Sequence, residues 1–171
     1  MKVSFSSVHR LCLIGLLLEC LLSLAGSPRW FAALGCVPFL WGTMHLRSLH
    51  DGFSSAFWIS VVRLLLIGAG AIPTLRMFLW ESVWSCLIPL CLWVALACLA
   101  DGFWHLRLSR GLSRNRSAAA TVCLQILLDA DALHAVVWLI PTIGILYITA
   151  LWYDHRAALE LDACEDPPRI S

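Results

Sequence analysis

Five apolar runs, at about 11–25, 30–46, 53–72, 78–100 and 118–153, are separated by short clusters of charge, glycine and proline. None alternates with the period of two that a half-exposed strand requires, so the runs predict helices. A helix crossing a ~30 Å hydrocarbon core needs about 20 residues, fewer when polar ends reach the interface. The third and fourth runs meet that length, the second is marginal, and the first is short. The pattern predicts an all-α, polytopic transmembrane helix bundle of about five helices within a single domain, residues 1–153. A short acidic solvated tail is expected over 154–171, carrying Asp154, Glu160, Asp162, Glu165 and Asp166.

Two runs leave alternatives open. Lys2 and Arg10 precede the first, and Ser23-Leu24-Ala25 places small residues where a signal peptidase cuts. Glu19 inside that run argues for a retained helix; four mature helices are the alternative. The last run would make about 54 Å of helix at ~1.5 Å per residue, too long for one span. It reads as an interfacial helix over about 118–130 leading into a span over 132–153, or as a re-entrant or broken helix that carries Asp129 and Asp131 into the bundle.

Composition agrees with the pattern. Of 171 residues, 60% are hydrophobic and 13% charged, against ~45–50% and ~25% in soluble domains. The mean hydropathy is +0.82. A net charge of +1 gives no field for nucleic acid, so membrane lipid is the expected partner, with a protein partner or a homo-oligomer as further candidates. The eight cysteines form no C-x-x-C pair and read as small buried hydrophobes.

Loop charges suggest an orientation. With five alternating helices, Lys2, Arg10, Arg47, Arg107, Arg110, Arg114 and Arg116 share one side, and Arg29, Arg76, Arg156 and Arg169 the other. The positive-inside rule then places the N-terminus in the cytoplasm and the C-terminus opposite. A shift of 50 residues aligns Asp51-Gly52-Phe53 with Asp101-Gly102-Phe103 and Trp30 with Trp80, which suggests duplicated helical hairpins over 30–73 and 80–150. Matching turns would explain the same coincidence.

Two sets of residues could carry chemistry. Glu19 and Arg63 lie inside apolar runs, where an unpaired charge costs several kcal/mol, so mutual neutralisation is expected. A second group, His45, His50, Asp51, Asp101, His105, Asp129, Asp131 and His134, falls at one boundary under the five-helix topology. Asp101 with His105, and Asp131 with His134, are spaced to share helical faces. Imidazole and carboxylate suit a divalent metal, which activates water; solvated boundary residues are the plainer reading. No recognised metal spacing, nucleotide loop or nucleophile motif occurs, so no metal or cofactor is assigned. The expected function is a transporter-like unit or a helper subunit of a membrane complex. The alternative is a metal-dependent hydrolase acting on lipid headgroups through the His/Asp group.

Overall fold

The structure is a computed structural model that describes residues 4–24, 32–72, 81–113, 116–129 and 139–165. Apolar runs form helices here because each satisfies its own backbone hydrogen bonds, and the breaks fall where caps and glycines stop them. Six helices result among the described residues: α1 (Phe5–Leu24), α2 (Ala32–Leu46), α3 (Asp51–Gly70), α4 (Glu81–Ser109), α5 (Ser117–Asp129) and α6 (Leu139–Glu165). His50 caps α3, its Nδ1 accepting from the Gly52 N–H at 3.0 Å, and Asp51 adds a negative charge to the first turn. Gly111, at φ 71°, ends the α4 segment while the Leu112 N–H returns to the Arg107 carbonyl at 3.0 Å. Pro38 and Pro89 lie inside α2 and α4. Pro141 sits in the first turn of α6, where no backbone donor is lost.

Each helix packs antiparallel on the next, and α6 returns to α1, so the six close into a ring. One contact marks each seam. The Cys12 thiol reaches the Phe39 carbonyl, the Cys36 thiol the Ser60 carbonyl, and Arg63 Nε the Ile88 carbonyl. Trp93 then meets Asp129, Thr121 meets Asp154, and the Phe5 N–H meets Asp162. The core holds Phe39, Phe53, Leu92, Leu96, Tyr147 and Leu161. At the α3–α4 crossing a Cβ on Gly52 would stand 2.8 Å from the Cys98 carbonyl and 3.0 Å from the Gly102 nitrogen. Only glycine permits that approach, and Phe53 and Phe103 then meet edge to face at 5.1 Å.

Four sequence expectations change. Among the described residues the last apolar run gives two helices packed against one another, because α5 pairs with α6 rather than continuing into it. Residues 154–165 are not a solvated tail: α6 continues through Glu165 and buries Asp154, Ala158 and Leu161. The start of α1 and the end of α6, expected apart, meet at one end of the ring. There the Asp162 carboxylate accepts from Ser4 Oγ at 2.7 Å and from the Phe5 and Ser6 N–H groups at 2.7 and 2.9 Å. It caps α1 from the far end of the sequence. Finally, Asp51-Gly52-Phe53 opens a helix whereas Asp101-Gly102-Phe103 lies inside α4, so the two copies are not equivalent turns.

Polarity is distributed inside out. His9, Glu19, Arg63, Arg107, Thr121, Gln125 and Asp154 are buried, while Leu65 is 67% exposed, Ile145 65% and Trp58 60%. Asp51–Gly70 and Cys86–Ser109 are long and apolar enough to cross a membrane; Ala33–Leu46 and Ser117–Asp129 are shorter apolar helices.

Candidate functional site

The interior polar groups centre on α5. Ser117, Thr121, Gln125 and Asp129 recur every four residues, so one helical face carries them over ~18 Å. Apolar neighbours Ile126 and Leu127 point outward. At the chain-end end of the ring, Ser117 and Thr121 both donate to the Asp154 carboxylate, the latter at 2.7 Å. Toward the other end, Gln125 Nε2 reaches both oxygens of Asp129 at 3.2 and 3.1 Å, and Trp93 Nε1 donates to Asp129 at 2.8 Å. Gln125 Oε1 is buried with no protein partner among the described residues. Sequence reading singled out only Asp129 here; the four-residue period of polar side chains was the available signal.

The buried charges meet beside this column. Arg63 Nη1 and Nη2 donate to the two oxygens of Glu19 at 2.6 and 2.7 Å, a bidentate pair, and Nε donates to the Ile88 carbonyl at 3.2 Å. Every donor nitrogen of the guanidinium is engaged, which is the condition under which a buried charge is tolerated. Glu19 sits against Gly35, whose missing side chain makes room for it. Asp129 lies within electrostatic range of both partners, so the layer holds one cation and two carboxylates.

At the opposite end, α1, α4, α5 and α6 enclose a cavity of about 30 Å3. Its polar wall is His9, Arg107, Thr121 and Asp154, with Leu16 and Leu99 among the deeper apolar residues. Arg107 is fixed by three bonds: to the Ser113 carbonyl at 3.0 Å, to the Ala157 carbonyl at 2.7 Å and to Glu160 at 2.7 Å. The His9 ring packs edge-on against Phe103 at 5.3 Å and stacks on His155 at 6.0 Å. Arg10 Nε lies 3.3 Å from His155 Nε2. His9 Nδ1 is buried without a protein partner among the described residues.

The expected His/Asp group separates. Asp101 and His105 pair at 3.5 Å, both about half exposed, and the His50 ring stacks on His105 at 5.0 Å. Asp51 is exposed nearby, at the start of α3. His45 turns instead to its own helix, bonding the Trp41 carbonyl at 2.8 Å. Asp129 is at the other end of the ring from His105, because α5 runs antiparallel to α4. Asp131 and His134 lie outside the described residues. Among the described residues no three His, Cys, Asp or Glu side chains are placed to hold a metal ion. Compared with known protein families, with curated proteins and with solved structures, the chain matches none.

Proposed function

We propose that the chain is a polytopic membrane protein, with Asp51–Gly70 and Cys86–Ser109 as spans and the other helices packed with them in the bilayer, and that it acts as a small transporter-like unit. Its inside-out polarity supports the bilayer. Exposed leucines, isoleucines and tryptophans, among them Leu65, Ile145 and Trp58, recur on the outer faces of the helices, as a lipid-facing surface requires. Charge supports an orientation. Of the seven described arginines, all except Arg63 lie toward the end where α1 begins and α6 ends. The positive-inside rule assigns that end to the cytoplasm, with both chain ends on it.

One observation carries the transport reading: the column Ser117, Thr121, Gln125 and Asp129 on the inner face of α5, continued by Asp154 at one end and Glu19–Arg63 at the other. Polar groups within a bilayer are expensive and mark solute or ion pathways. The test is flux into liposomes carrying the purified protein, with protons read by an internal pH dye and sodium and potassium read by isotope. At least one probe moves faster than in protein-free vesicles, and Gln125→Leu slows it about tenfold or more. If none of these ions moves while the protein remains folded, this reading gives way to the helper-subunit one.

A further inference from the structure

The cavity between α1, α4, α5 and α6 has features that the column alone does not explain. A site of this size, measured as space for water, holds about two molecules, since one requires ~10–15 Å3. Apolar cavities of such size stay dry; water enters where polar groups converge to bind it. Here the groups lie at one end. His9 projects from α1, Arg107 from α4, Thr121 from α5 and Asp154 from α6, so all four helices contribute one. His9 is 6% exposed and its Nδ1 has no protein partner among the described residues. The stacked His155 ring and the Phe103 edge occupy the two ring contacts of His9 without offering Nδ1 a hydrogen bond. Water is the ligand that fits this volume and its four polar side chains.

We propose that this cavity is the inner end of a water-filled vestibule opening at the chain-end face of the ring, with the His9 ring as part of its polar wall. The polar residues stand within the outer turns, with His9 near the start of α1 and Arg107 near the end of α4, whereas Leu16 and Leu99 form the floor one or more turns deeper. Water therefore reaches the head of the α5 column and stops at a leucine layer. The inference goes beyond the transport reading: the vestibule is hydrated whether or not a solute crosses.

Silver ion tests it, being water-borne, excluded from lipid and close to water in size. Silver replaces the thiol proton, which leaves to water, and the S–Ag bond then blocks later alkylation. Leu151→Cys and Ile67→Cys start from side chains equally buried, at 4% and 3% exposure, but only Leu151 lines the cavity. In lipid nanodiscs, with each cysteine read separately by peptide mass spectrometry, Leu151→Cys is expected to be protected at least tenfold faster than Ile67→Cys. Adding His9→Leu to Leu151→Cys removes the polar anchor, and the rate is expected to fall toward that of Ile67→Cys. Equal rates for the two cysteines overturn the vestibule, and an unchanged rate with His9→Leu overturns His9 as part of its wetting wall. If the double variant does not fold, the two single cysteines still decide the first point. Neither rate depends on flux, so a folded protein that moves no ion but reacts at Leu151→Cys retains the vestibule and loses only the transport reading.

Discussion

Two buried polar regions of the ring obey opposite rules. The Glu19–Arg63 pair is closed: two full charges meet bidentately, and the remaining guanidinium nitrogen is bonded to a backbone carbonyl. The His9 end is open: the ring lines a cavity together with Arg107, Thr121 and Asp154. The difference follows from what each group needs. An ionised side chain away from water must be neutralised where it stands, whereas an uncharged polar atom can be satisfied by a single water. Closed regions fix helices; open ones admit solvent.

The largest effect expected from this contrast is at the closed site. Glu19→Leu leaves Arg63 buried and unpaired, and unfolding in detergent or nanodiscs should show a loss of about 3–5 kcal/mol. Replacing both partners, Glu19→Leu with Arg63→Met, should recover most of it, since an apolar pair of similar volume needs no neutralisation. If the double variant is as unstable as the single, charge pairing is not what holds α1 to α3. Exchanging the two residues is a poorer test, because the glycine beside Glu19 leaves no space for a longer side chain.

Next in size is Asp154, where the regions grade into each other. Asp154→Ala strips the acceptor from Ser117 and Thr121 and should cost about 1–3 kcal/mol, read in the same unfolding assay. Asp101→Ala serves as its counterpart, because that carboxylate is half exposed and its histidine pair is screened. A change within about 0.5 kcal/mol is expected there. Equal losses at the two positions would remove the distinction between the interior column and the boundary pair.

The contrast also explains what could be read from the chain alone. Glu19 and Arg63 interrupt apolar runs with no neighbouring countercharge, so each needs a distant partner, and their meeting was legible without coordinates. Ser117, Thr121 and Gln125 were not singled out, because uncharged polar residues barely dent a run of leucine and alanine; only their four-residue spacing betrays a shared face. The division of the 118–153 run was obscured for a related reason, as apolar residues continue on both sides of it. Because α5 folds against α6, Asp129 lies at the other end of the ring from His105 and is not gathered with it. The contact between His9 and His155 joins the two ends of the chain and depends on the closure of the whole ring. Local pattern carries no trace of it.

His9→Leu sets the open site directly against Glu19→Leu. The new side chain is the same in both, yet no charge is stranded, and one orphaned nitrogen is removed. The change in stability should stay within about 1 kcal/mol of zero, since replacing an unsatisfied polar group by an apolar one is nearly neutral. A loss as large as that of Glu19→Leu would mean that His9 is bonded as tightly as the ion pair.

The smallest effect lies at the rim, where the chain ends meet. Asp162 stands two turns beyond the last apolar run. Partial burial pushes its carboxyl up, but the bonds from Ser6, Ser4 and Phe5 outweigh this and hold it below the ordinary value of 3.8. A carboxylate held low in the folded state binds protons less readily there than when unfolded. Its contribution is therefore complete above about pH 4 and is lost as the pH falls through the folded-state value. Thermal unfolding scanned from pH 6 down to pH 2 should show an acid loss that Asp162→Asn reduces, by a small amount because the group is partly solvated. The asparagine variant should begin lower at pH 6 and converge with the parent in acid, since protonation removes from the parent what the substitution has already removed. Parallel curves across that range would mean that the cap on α1 works through shape and not through charge.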